Sequence, residues 1–341
     1  MVRRRGLRGL VRTAALLGVL VVGSACGSAT TAPAKAPVPP PVSADALSKV
    51  VLKVGDQKGG SRSQLAAAGL LDDVPYRIEW STFTSGPPLL EAVSAGAVDV
   101  GSVGNTPPLF AAAANARLSL VSASKADPAG DAILVPPDSP LRAVTELRGK
   151  TIGVAKGSSA HGQILYTLAR AGLGLGDVRL SFLQPSEAYS AFTQKQIDAW
   201  AVWDPYTAQA EIEAGARVLA TGEGTANGYG FQAASIGALG DAGKNAAIAD
   251  FVTRLARAQV HNDAHPEDRA RTWTAETGLP IDVTRRAADR KNQLPVPMDQ
   301  ALVDSEQRLA DALADARVLP GRIRFEDFVD RRFDAQVVAV R

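Results

Sequence analysis

Residues 149–173, GKTIGVAKGSSAHGQILYTLARAGL, and residues 198–206, DAWAVWDPY, decide the fold. Positions 151–155 form a short apolar run, Lys156-Gly157-Ser158-Ser159 is a turn, and Ile164, Leu165, Leu168 and Ala169 recur at helical spacing. The turn therefore opens a helix. Helix openings carry unpaired N–H groups and a partial positive charge, so small residues there let an oxyanion approach the backbone closely. With the second strand and the aromatic-acid turn at Trp203-Asp204, the segment reads as half of a clamp for a phosphate, sulfonate or carboxylate.

Outward from this segment, strands are expected near 50–54, 76–80, 98–101, 118–123 and 132–135. They alternate with helices near 64–71, 89–95 and an alanine-rich one ending at Asn115, which is α/β order. The breaker cluster Pro136-Pro137-Asp138-Ser139-Pro140 predicts a crossover to a second set of elements that begins at Leu147 and runs to about Gly222. Residues 229–236 read as a strand returning to the first set, and Ile248, Phe251, Val252 and Leu255 mark a helix in a C-terminal third expected to pack on the first lobe. The expected division is 47–136 with 229–341 for lobe 1, and 137–228 for lobe 2.

The chain has 341 residues, 46% of them hydrophobic, enough for two lobes with real cores. Residues 1–25 have the layout of a signal peptide: a basic head to Arg12, an apolar run at 14–22 too short to span a bilayer, and Gly23-Ser24-Ala25. Cys26 follows and is the only cysteine, so it forms no internal disulfide; its place resembles a bacterial lipid-attachment site. Residues 26–46, rich in Ala, Thr and Pro, predict an extended tether, giving an extracytoplasmic, lipid-anchored protein. Removing the five arginines before Cys26 from the 37 basic residues leaves 32 against 35 acidic ones, which gives no electrostatic case for nucleic acid.

Ser85-Gly86-Pro87 and Asn105-Thr106-Pro107 share one design, a polar or glycine residue before a proline suited to the first helical position. With Ser158 and Ser159 they make three helix openings, which in α/β sheets converge on one cleft; simple capping is the competing reading. Asp204 reads either as a cap for the helix after Pro205 or as a cleft residue beside Trp203. His161 reads as a donor near the ligand, because no G-x-S-x-G elbow supports a hydrolase. His261 and His265 lack metal-site spacing, and Gly149-Lys150-Thr151 lacks the upstream glycine of a phosphate-binding loop, so neither a metal nor a nucleotide cofactor is expected.

Four segments resemble the extracytoplasmic substrate-binding proteins of ABC importers, in their aliphatic sulfonate branch with nitrate and taurine relatives. They are GDQKGG (55–60), SGPPLLEAVSAGAVDVGSVGNTPPLFAAAA (85–114), LRGKTIGVAKGSSAH (147–161) and IDAWAVWDPY (197–206), within a similarity covering roughly 50–319. The resemblance implies a periplasmic-binding-protein-like (type II) fold, two α/β lobes closing on a small organic anion. It places Gln57, Ser85, Gly86, Asn105, Thr106, Ser158, Ser159, Trp203 and Asp204 around the ligand, to which the residues themselves add His161. It further implies a monomer without cofactor or catalytic residue, which takes an alkyl sulfonate for sulfur uptake and passes it to a membrane permease. Asn105 stands where the family commonly has Asp, which removes a negative charge beside the anion. Taurine, an alkyl sulfate, nitrate or a thiamine-precursor pyrimidine are the alternative ligands, and a secreted enzyme on the same scaffold is the alternative class.

Overall fold

Short apolar runs separated by glycine and proline turns build two sheets in the computed structural model, which describes residues 35–290 and 293–340. The first sheet uses Val51–Gln57 (β1), Arg77–Phe83 (β2), Val100–Gly104 (β3) and Leu118–Lys125 (β4), and the second uses Ala132–Val135 (β5), Thr151–Val154 (β6), Arg179–Phe182 (β7), Ala199–Val202 (β8) and Arg217–Thr221 (β9). Tyr229–Ser235 (β10) and Leu294–Val296 (β11) return to the first. Its order is β11-β4-β10-β3-β1-β2, and that of the second is β7-β6-β8-β5-β9. In the first sheet β1 runs parallel to both neighbours, with Val54 opposite Trp80 and Val100, while β10 is antiparallel to β3 and β4. In the second, β6 is parallel to β7 and β8, and β5 is antiparallel to β8 and β9.

Helices cover both faces of each sheet, which is why strands such as β5 (AILV) and β8 (AWAV) are buried throughout instead of alternating with polar residues. Along β5, Ile133 and Val135 pack with Ile152, Ile164 and Leu168, whereas Ala132 and Leu134 face Phe192 and Trp200 on the other side. In the first lobe Leu89, Leu109, Phe231 and Leu302 fill one side of the sheet, and Leu52, Val54, Ile248 and Phe251 fill the other. Each fully buried Leu, Ile or Phe of these clusters contributes about 1.5–3 kcal/mol.

Three expectations about chain path change. The crossover is not at Pro136–Pro140, because β5 already pairs with β8 and β9; the chain leaves the first lobe after Lys125, and residues 126–131 make the crossing. Residues 222–228 make the return crossing. The two segments are tied together, Ala126 N donating to Gly228 O at 2.8 Å and Gly222 N to Asp131 O at 2.6 Å. Gly228 has φ 74°, and a Cβ there would lie 2.1 Å from Ala126 O, so only glycine permits this pairing.

The expected tether also ends sooner. Ala36 is buried in the first-lobe core with its carbonyl held by Arg332, and the short helix Ala44–Ser48 follows directly. The expected signal peptide and Cys26 lie outside the described residues. Lastly, the C-terminal third does not serve the first lobe alone. The helix Ala242–Ala264 buries Ile248, Phe251, Val252 and Leu255 there, as the spacing predicts. The helices Pro266–Thr277 and Ile281–Arg290 reach across instead: Trp273, Leu279, Val283 and Ala287 pack on Ala208 of the second-lobe helix Tyr206–Glu213.

Candidate functional site

Where the carboxyl ends of β1, β3 and β6 face one another, a cleft of about 140 Å³ lies between the lobes. Gln57, Gly86, Asn105, Ser158, Ser159, Trp203 and Asp204 line it; Ser85, Thr106 and His161 do not. The helices Gly86–Ser94, Thr106–Ala113 and Ser159–Arg170 open toward it, and in none does the preceding Ser85, Asn105 or Ser158 make a side-chain capping bond. Their polar groups are used in three other ways.

Ser85 Oγ donates to Gln184 Oε1 at 3.0 Å, and Thr84 Oγ1 does the same at 3.0 Å. Gln184 immediately precedes the second-lobe helix Pro185–Thr193, so Ser85 fastens the lobes together instead of facing a ligand. Asn105 Nδ2 donates to Asn227 Oδ1 at 2.8 Å, while Thr106 Oγ1 donates to Asn105 Oδ1 at 3.1 Å. Thr106 thus orients Asn105 from behind the wall. Ser158 Oγ is buried and has no partner among the described residues. A hydroxyl held dry at a helix opening is a donor waiting for an acceptor, since leaving it unpaired costs about 1–3 kcal/mol.

His161 also turns away from the cleft. Its Nδ1 accepts from Gly157 N at 3.1 Å, and its ring lies 5.8 Å from Phe110 of the first lobe and 5.4 Å from Phe182 of the second. Burial, and then the nearby Lys156, lower its pKa to about 4, so at neutral pH it is an uncharged part of the seam between lobes. The lobes meet closely along this seam: a Cβ at Gly104 would lie 2.1 Å from Ser159 Oγ, and one at Gly162 would lie 2.3 Å from Thr106 Oγ1.

Trp203 is half-buried, joins both second-lobe clusters and stands edge-on to Tyr206 at 6.1 Å, leaving an apolar face at the cleft. Asp204 is committed to structure. Its Oδ1 accepts from Ala208 N at 3.0 Å at the start of the helix Tyr206–Glu213, and Oδ2 lies 3.2 Å from Arg290 Nε. The capping reading therefore describes its bonds, though it still lines the cleft. Gln57 Nε2 donates to Ser102 O at 2.9 Å, which directs its amide along the floor. Lys58, within the cleft, lies 5.6 Å from the Tyr206 ring, and burial lowers its pKa; Lys156 is exposed and lies over Phe182.

Other cleft residues escape the sequence reading. Asp56 is buried and accepts from the backbone N–H groups of Gln57, Ser61 and Arg62; burial still raises its pKa to about 6. Trp273 is 1% exposed, its Nε1 has no partner among the described residues, and it packs against Gly59. Gln64 and Gln293, joined at 3.4 Å, complete that wall. Trp273 comes from the bridging helix about fifty residues beyond the last second-lobe strand; its one sequence signal is a tryptophan in an otherwise polar helix of an aromatic-poor chain. Among the described residues, no group of three or more His, Cys, Asp or Glu could hold a metal ion.

The profile of the NMT1-like family matches residues 64–226. An aliphatic sulfonates-binding protein of Escherichia coli K12 is 33% identical over 277 residues, covering 80% of this chain and 86% of that one. The chain belongs to the aliphatic sulfonates-binding protein family. A solved member, the alkanesulfonate-binding protein SsuA from Xanthomonas axonopodis pv. citri bound to MOPS, superposes with a TM-score of 0.76 at 34% identity, covering 82% of this chain and 98% of that one. The two α/β lobes are those of the family's periplasmic binding proteins. The desulfurization enzyme DSZB shares the fold with a TM-score of 0.63 at 17% identity, a likeness of fold alone.

Proposed function

We propose that this protein is the substrate-binding component of an ABC importer, taking up an aliphatic sulfonate between its lobes outside the cytoplasm and delivering it to a membrane permease as a sulfur source. Ser158 Oγ carries the reading: a buried, unpartnered donor at the opening of a twelve-residue helix, facing a cleft shared by both lobes. A sulfonate stays anionic at any biological pH and spreads its charge over three oxygens. Neutral donors at a helix opening, here Ser158 and Ser159 with the amide of Asn105 opposite, suit it without an arginine. Trp203 and Trp273 supply apolar surface for an alkyl tail. The relatives' names support the same ligand class.

The carboxylates of Asp56, Asp127, Asp131 and Asp204 at the cleft favour a second reading, an aminosulfonate such as taurine whose ammonium end would face them. The relatives are named as binding proteins, which supports a receptor over the alternative of a secreted enzyme on the same scaffold. The Cys26 position further supports a lipid anchor; a Cys26→Ser protein should then leave the membrane fraction.

Thermal unfolding of the protein, with the docked segment at Ala36 retained, against alkanesulfonates, taurine, alkyl sulfates, nitrate and sulfate tests the ligand. Saturation at a hundred times Kd stabilises by about 2.7 kcal/mol. A shift that grows with alkyl length supports the sulfonate receptor. A shift with taurine alone selects the second reading, and no shift with any sulfonate overturns both.

A further inference from the structure

Behind the cleft wall a chain of hydrogen bonds leads into the dry interior of the first lobe. Glu306, on the helix Gln300–Asp315, is 0% exposed. Its Oε1 accepts from Asn227 Nδ2 at 2.7 Å, and its Oε2 has no partner among the described residues. Asn227 belongs to the return crossing between lobes, and its Oδ1 accepts from Asn105 Nδ2 at 2.8 Å and from Tyr229 N at 3.2 Å. Asn105 lines the cleft. Three side chains from three separate segments thus run in one donor-to-acceptor direction, and the buried carboxyl is the acceptor at its end.

We propose that Glu306 is a positioning residue for the ligand, holding Asn105 at the cleft wall through Asn227 and making capture of an anion depend on its own protonation. This rests on the sulfonate-receptor reading. With its carboxyl oxygen accepting, Asn227 cannot flip without placing a carbonyl against a carboxyl, and Asn105 keeps its amide nitrogen toward Asn227. The charge matters separately. An ionised carboxylate two side chains from a bound anion repels it, whereas the neutral acid makes the same hydrogen bond without that repulsion.

The surroundings favour the neutral form. Burial raises the pKa of Glu306 to about 8, only partly offset by the Asn227 bond. Tyr166 of the helix Ser159–Arg170 and Tyr229 of β10 interact with it and are themselves raised by burial. Lys125 lies over the outer side of the Tyr229 ring, and Arg308 and Asp311 share the Glu306 helix. On the 3-10 turn packed against that helix, Glu326 and Asp327 pair with Arg331 and Arg324. Asp56, a carboxyl in the cleft itself, is raised by burial only to about 6, below this range.

The sign follows by linkage. A bound anion disfavours ionisation of Glu306 and so raises its pKa further; affinity is highest where Glu306 is protonated and falls as pH rises through its value in the free protein. Calorimetric titration with 1-pentanesulfonate, whose charge is constant, compares pH 7 with pH 9. The unmodified protein should bind about five- to tenfold more weakly at pH 9. Glu306→Gln, an uncharged isostere that can still accept from Asn227, should bind within about twofold at both pH values, near the pH 7 affinity of the unmodified protein. Any slope from Lys58 persists in that variant and is subtracted by the comparison. Glu306→Leu, which removes the acceptor, should bind weakly at both, with its fold checked by circular dichroism. Equal affinity of the unmodified protein at pH 7 and 9, or an unchanged slope in Glu306→Gln, overturns this proposal and leaves the receptor reading intact. Failure of every sulfonate to bind at pH 7 overturns both.

Discussion

Gly59 is the residue whose environment leaves least choice. Its φ is 72°, and a Cβ would come within 1.4 Å of Trp273 Nε1, so the turn after β1 and the indole wall of the cleft are built around the missing side chain. Gly59→Ala should destabilise the protein by about 2 kcal/mol in urea unfolding and weaken sulfonate binding through a displaced indole. Adding Trp273→Phe, which removes the clashing edge, should return part of the stability without the binding; purely additive effects would show that the two residues are not coupled. The GDQKGG motif marks this turn in the sequence. That its glycine faces a tryptophan from position 273 does not show there, because the contact joins residues more than two hundred positions apart.

At the level of elements, the three helix openings were legible as openings but not in their use. An ordinary capping serine costs about 1 kcal/mol when replaced by alanine. Ser158 makes no capping bond, so Ser158→Ala should leave the thermal midpoint nearly unchanged while weakening sulfonate binding about tenfold. A loss of stability with unchanged affinity would instead return Ser158 to a capping role. Glycine, serine and asparagine before a helix carry the same local signal whether the side chain caps it, meets a ligand or meets the other lobe. For Ser85 and His161 the outcome was the other lobe, set by Gln184 and Phe110, neither of which the local pattern singles out.

For the molecule as a whole, the decisive relation is between lobes. Two hydrogen-bonded crossings join them on one side, and the bridging helices add Arg286 and Arg290 against Glu211, with Arg290 also facing the buried Asp204. Elsewhere Gln184 accepts from Thr84 and Ser85, and Lys58 lies over Tyr206. Gln184→Ala should shift the ligand-free population toward open lobes, seen as a larger radius of gyration in small-angle scattering, and weaken sulfonate binding about fivefold. Saturating sulfonate should restore the smaller radius. An unchanged radius without ligand would remove Gln184 from the closing contacts.

The sequence by itself determined the α/β order, the return of the chain through residues 229–236, the helix marked by Ile248, Phe251, Val252 and Leu255, and the three helix openings, because periodicity and turn chemistry are local. Tertiary structure decided where the chain crosses, since β5 takes its place by pairing with β8 and β9 and not by the proline cluster that follows it. It also decided which polar groups stay unpaired in the cleft and which are consumed elsewhere. Ser158, Trp273 and Glu306 differ from their neighbours in sequence only by what the folded chain brings, or fails to bring, within hydrogen-bonding distance. Burial and partnership are properties of contacts between distant segments, and no local pattern encodes them.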